Sequence, residues 1–207
     1  MSGTATKVML ATILALLVAA ASAIASPGPN PADQRALIDK PIEGYRYDRA
    51  THCTNKVPSG TKALVRWLGR HTDGEFWGIT RCEKFSSDNY SLHSEGRAID
   101  WHMDARNDAM RRQAMKLIRK RLLATDRRGN DNALARRMGV QGIIYDCQAW
   151  WSSPGGLGHY SYCYTESGRR RKHLDPTAAH VDHLHIELSW PGARERTSFW
   201  RSRLARR

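Results

Sequence analysis

The chain has 207 residues, of which 41% are hydrophobic and 26% charged, a balance that fits one globular domain and excludes a polytopic membrane protein or a collagen-like chain. Lys and Arg number 33 against 20 Asp and Glu, for a formal charge of +13. That excess excludes an acidic disordered tail and points to an anionic partner, whether nucleic acid, acidic lipid or cell wall.

Lys7 precedes a run of small and apolar residues from Val8 to Ala25, which Ser26-Pro27-Gly28-Pro29 ends. A single cation, an apolar stretch and small residues at Ala23 and Ala25 predict a secretory signal peptide over residues 1–25. The competing reading is an uncleaved membrane anchor, because the run is close to a spanning length. Residues 26–45 then form a Pro-rich leader. Cys53, Cys82, Cys147 and Cys163 all lie in the exported part. In an oxidising compartment they read as two disulfides, and the pairs that close modest local loops are Cys53–Cys82 and Cys147–Cys163. No C-x-x-C spacing supports a cysteine metal site.

The chain between reads as α+β. Ser59 to Gly69 is predicted as a helix, with Ser59 as cap, Gly69 as stop and Ala63, Leu64, Trp67 and Leu68 on one face. Phe76 to Cys82 is a predicted strand. Asn107 to Ala124 carries Met110, Ala114, Leu117, Ile118 and Leu122 at helical spacing, with Arg and Lys opposite. Asn132 to Met138 is a second helix stopped by Gly139, and Val140 to Tyr145 a strand. Trp150 to Tyr162, rich in Gly, Ser and Tyr, is expected as a surface loop. Trp150 and Trp151 read equally as core aromatics or as a substrate wall. Ser167 to Lys172 is a basic loop, Val181 to Leu188 the last strand, and residues 191–207 a basic tail on a solvated surface.

Two stretches carry the chemistry. The first is SLHSEGRAID, Ser91 to Asp100; the second is HVDHLHIEL, His180 to Leu188. On a strand, alternation puts His183, His185 and Glu187 on one face and Leu184, Ile186 and Leu188 on the other. Gly96 and Ala98 let the chain turn between His93 and Asp100. Two His and one Asp suit zinc with a fourth position open. His52, His71, His102, His159 and His173 read as ordinary exposed or hydrogen-bonded residues.

The first stretch fits S-x-H-x-x-G-x-A-x-D throughout, and the second adds D-x-x-H and H-x-H. Together they resemble the zinc metallopeptidases that include the D-alanyl-D-alanine carboxypeptidases, the peptidoglycan endopeptidases and the hedgehog signalling domain. The resemblance covers roughly residues 45 to 190. It implies one metallopeptidase domain over 46–190, with a small antiparallel sheet carrying a zinc site and flanked by helices. It implies His93, Asp100 and His185 as ligands of Zn2+. Asp182 stands where the carboxypeptidase branch has its base, and His183 and His180 match histidines of the endopeptidase branch. Either Asp182 or His183 is then the general base; alternation places Asp182 on the opposite face unless it precedes regular pairing or lies at a bulge. Arg81 is the nearest counterpart of a substrate-steadying arginine, and Ser91 is expected to support the site by hydrogen bonding.

The implied function is a secreted zinc peptidase acting on peptidoglycan stem peptides or cross-links, held to an anionic wall by its basic surface. The alternative is a catalytically inactive, zinc-containing wall-binding module. A nucleic-acid partner is not expected, because no aromatic residues interleave with the basic runs.

Overall fold

A computed structural model describes residues 39–54 and 56–202. The predicted signal peptide, most of the leader and the last five residues lie outside the described residues.

The strand that carries H-x-H lies inside a six-stranded antiparallel sheet of order β1-β4-β8-β5-β6-β7. The strands are β1 (Glu75–Gly78), β4 (Ala98–His102), β5 (Val140–Tyr145), β6 (Gln148–Trp151), β7 (Gly158–His159) and β8 (His183–Leu188). A separate hairpin joins β2 (Lys84–Ser86) to β3 (Asn89–Tyr90). The helices are α1 (Ser59–His71), α2 (Asp108–Leu117), α3 (Ala133–Met138) and the short α4 (Trp190–Ala193). This is the α+β domain that the sequence predicts.

Alternation along β4, β5 and β8 divides the sheet into two faces. Ile99, Ile186 and Ile143 stand opposite one another in register, as do Trp101 and Leu184. They bury against Leu64, Trp67 and Leu68 of α1 and against Leu117, Ile118 and Leu122. The intervening residues, Asp100 opposite His185 and Ala98 opposite Glu187, face the other way. The core thus fixes the register, and the register fixes the site.

Several boundaries differ from the sequence reading. In α1, Pro58 rather than Ser59 holds the cap position. The helix passes Gly69 to reach His71, because the backbone N–H and hydroxyl of Thr72 both bond the Leu68 carbonyl. The long helix begins as expected at an Asn107 cap, but it widens into a π-turn over Ile118–Leu122. The strand predicted to Cys82 ends at Gly78, just past a register shift between Phe76 and Gly78. The supposed loop from Trp150 opens as a strand, with Trp150 buried and Trp151 exposed. The last strand starts at His183 rather than Val181.

Both predicted disulfides are present, Cys53–Cys82 and Cys147–Cys163, as suits an oxidising, extracytoplasmic environment. Among the described residues no helix is long and apolar enough to cross a membrane. In the tail, Arg194, Arg196 and Arg201 are exposed as expected, but Phe199 and Trp200 belong to the core. Residues 191–202 are therefore packed structure rather than a solvated extension, because two large aromatics lose more by exposure than the arginines gain.

Candidate metal centre

Three neighbouring elements deliver the site. Ser91 caps a short 3-10 helix (Leu92–Glu95) by accepting a hydrogen bond from the His93 backbone N–H. Its support is thus to the backbone of His93 and not to the ring. Gly96 closes that helix at φ +66, and a β-carbon there would lie 2.7 Å from the Lys56 carbonyl oxygen. The motif glycine is required on both grounds. Two residues on, β4 begins and presents Asp100 to its register partner His185 on β8.

His93, Asp100 and His185 come together. His93 Nε2 lies 3.1 Å from Asp100 Oδ1 and 3.2 Å from His185 Nδ1, and His185 Nδ1 lies 2.9 Å from Asp100 Oδ1. All three residues are buried, and their donor atoms form a group able to hold a metal ion. A tetrahedral ion with bonds of about 2.0–2.1 Å separates its ligands by about 3.3 Å, so the triangle fits one with little movement. His93 Nδ1 bonds the Ile79 carbonyl oxygen at 2.6 Å, which leaves Nε2 as the lone pair facing the group.

The electrostatics differ among the three residues. Burial lowers the His93 imidazolium below its ordinary value, so the ring is neutral and can ligate. Burial opposes the charge of Asp100, but the imidazoles of His183, His185 and His93 outweigh it and hold the carboxyl far below the usual range. Burial would also lower His185, yet the carboxylates of Asp100 and Glu187 overcome it and push the imidazolium up to about 9.

The remaining predicted residues surround this triangle. His183 Nε2 is buried, 3.3 Å from Asp100 Oδ1, and makes no aligned hydrogen bond. Its Nδ1 lies 2.7 Å from Asp182 Oδ1, and Asp182 Oδ2 accepts the Thr177 hydroxyl at 2.6 Å. Asp182 precedes β8 and escapes strict alternation, so it reaches the site through His183. The two residues that competed as base in the sequence form one hydrogen-bonded pair. His180 is also at the centre, with its ring 4.7 Å from that of His183 and edge-on to Tyr160 at 5.3 Å. Burial and the neighbouring His185 and His183 press it down to about 2, so it is neutral. With His183 and His185 it makes a second possible ligand group that shares His185. Arg81 places Nη1 2.5 Å from the outer oxygen of Asp100 and Nε 2.9 Å from Glu83. It is half-exposed and directly adjacent to the triangle.

Sequence reasoning gave no role to four further residues. Glu187 Oε1 lies 3.2 Å from His185 Nε2, which orients the ring from behind. Alternation had placed it on the right face, and that was the available signal. Gly142 makes room for it, since a β-carbon there would stand 2.5 Å from Glu187 Oε2 and 3.0 Å from the Trp151 ring. Thr177 and Trp77 had no signal. Trp77 stacks on His102 at 4.5 Å with its ring 5.9 Å from that of His183, so it forms an exposed aromatic wall beside the centre. Trp151 and Tyr47, edge-to-face at 6.0 Å, also remain exposed. Of the two tryptophans left open by the sequence, Trp150 is core and Trp151 is exposed.

Comparison with known proteins finds no match to this chain among family models, curated proteins or solved structures.

Proposed function

We propose that the protein is a secreted zinc-dependent peptidase that hydrolyses peptide bonds of peptidoglycan stem peptides or cross-links. The observation that carries this reading is the buried His93–Asp100–His185 triangle with a hydrogen-bonded Asp182–His183 pair beside it. Two imidazoles and one carboxylate are a zinc donor set with an open fourth position. Zinc held there would supply Lewis acidity towards water and towards a peptide carbonyl.

The chain's own groups account for the proton traffic. Asp182 accepts the Nδ1–H of His183, which fixes the tautomer and leaves Nε2 as the proton acceptor. His183 Nε2 takes a proton from the attacking water and returns it to the leaving amine. Thr177 holds the far oxygen of Asp182 and keeps the pair aligned. His180, neutral in its buried position, can donate to the developing oxyanion, and Arg81 offers a half-exposed guanidinium to a substrate carboxylate or carbonyl. The aromatic borders, Trp77 on one side and Trp151 with Tyr47 elsewhere on the exposed surface, suit an extended peptide carrying sugar. The resemblance of the two motifs to the peptidoglycan peptidases supports the same substrate class, and the charge of +13 favours retention on an anionic wall.

The test is a digest of peptidoglycan fragments by the purified protein, with and without chelator, read by mass spectrometry. The expected result is a released terminal amino acid or a new free amine, abolished by chelator and restored by zinc. A zinc-loaded protein that binds fragments and cleaves none would instead be the inert wall-binding module.

A further inference from the structure

Beyond the centre, the segment from Gly158 to Tyr164 has a second side. Tyr160 turns towards His180. His159 and Tyr164 instead stack on each other face to face at 3.9 Å, with ring planes 5° apart. They line a separate cavity of about 560 Å³ with Arg111, Asp146, Gln148, Leu157, Gly158 and Arg170.

The charge in that cavity is unbalanced. Asp146 is its one carboxylate, and Arg111 already occupies it at 2.8 Å. Arg170 has no carboxylate partner among the described residues; Nη2 lies 3.6 Å from the Cys147 sulfur, a weak acceptor. Arg119 fixes the lining Gln148 through its carbonyl oxygen at 2.8 Å, which brings a third guanidinium to the rim. The wall is also rigidly built. Asp146 and Cys147 both adopt positive φ, 47° and 60°, in the tight turn between β5 and β6. Neither residue is glycine, and the turn is held by the Cys147–Cys163 disulfide and by backbone bonds to Ala179 and His180. A planar fork with free donors, beside a flat aromatic pair and in a pre-shaped cavity, is suited to an oxyanion.

We infer that this cavity is an oxyanion-binding exosite, for a carboxylate or phosphate group, on the face of the 158–164 segment opposite the metal centre. Arg170 is its principal anchor, and the His159–Tyr164 pair is the shelf on which the group's carrier rests. The inference does not depend on the peptidase reading, since the exosite shares no residue with the centre. If that reading holds, the exosite grips an anionic group of the wall polymer while Tyr160, on the same segment, borders the reacting bond.

The test uses the full chain and small probes, inorganic phosphate and acetate, titrated at constant ionic strength against chloride. The reporter is the His159 ring C–H resonance, assigned by its loss in His159→Gln. A saturable shift is expected, and Arg170→Gln should weaken it about tenfold or more, as befits loss of a charged hydrogen-bond donor. Arg170→Lys, which keeps the charge and loses the fork, should fall between. Saturation by phosphate alone identifies a phosphate source, and comparable saturation by acetate identifies a carboxylate one. A linear, unsaturable response, or an affinity unchanged in Arg170→Gln, would overturn the inference. Arg170 is exposed, so its variants should keep the melting temperature of the parent.

Discussion

Asp182 and His183 are adjacent in the chain and, in the structure, hydrogen-bonded side chain to side chain. The bond is 2.7 Å long and uses His183 Nδ1, which leaves Nε2 towards Asp100 at 3.3 Å. Groups that work as a unit are not additive when removed. On the proposed mechanism, His183→Ala should lower turnover by about 10²–10⁴-fold. Asp182→Asn should lower it less, and the double variant should be no slower than His183→Ala alone. Single-turnover rates with zinc content measured in each variant check this; equal and multiplicative losses would show two independent groups. Glu187 has a different expected role, since it touches His185 and, on the proposed mechanism, not the reacting atoms. Glu187→Gln keeps the acceptor for His185 Nε2 and removes its charge. Zinc affinity should fall by about 10–100-fold, measured by competition with a chromophoric chelator. His185→Ala should lose the metal outright. Stoichiometric zinc in that variant would remove His185 from the ligand set.

At the scale of elements, the centre depends on two connections that leave the sheet. β1 ends at Gly78, and the Cys53–Cys82 disulfide fastens the segment that follows, whose Ile79 carbonyl fixes the tautomer of His93. The Cys147–Cys163 disulfide, spanning 16 residues, does the same for the segment that carries Tyr160. A loop of that length predicts a stabilisation of about 3 kcal/mol. Replacing both Cys147 and Cys163 by Ser should therefore lower the unfolding free energy by roughly that amount in a urea titration. Such elements were partly legible. The H-x-H strand was, because period-two alternation survives with every residue buried. The end of β1 was not, because nothing in Phe76 to Cys82 marks where pairing stops in a β-prone run. The strand β6 was hidden by the Gly and Ser that follow it.

Across the whole molecule, the buried histidines set an opposed pair of pH limits for the metal-free protein. His93 and His180 are held neutral, so unfolding takes up protons below the ordinary histidine value of 6.5, and their contribution is lost as pH falls below it. His185 is held protonated to about 9, so its contribution is complete below 6.5 and is lost as pH rises through about 9. Stability in the presence of chelator should therefore peak near pH 6.5 and decline on both sides, as read by melting temperature across pH. Zinc should flatten the alkaline decline, because ligation replaces the His185 proton. A chelated protein whose stability rises steadily from pH 6.5 to 9 would contradict the charge assigned to His185. The sequence by itself determined the α+β class through local periodicity, favoured the two disulfides through short loop closures, and gathered His93, Asp100 and His185 through the resemblance that its two compact motifs carry. Tertiary structure alone decided the roles of Thr177, Glu187, Gly142 and Trp77, the pairing of Asp182 with His183, and the burial of Phe199 and Trp200. Each of these is a contact between segments distant in the chain or a departure from regular strand geometry. No local pattern encodes such a contact, because it exists only once packing of the core has set the register of the sheet.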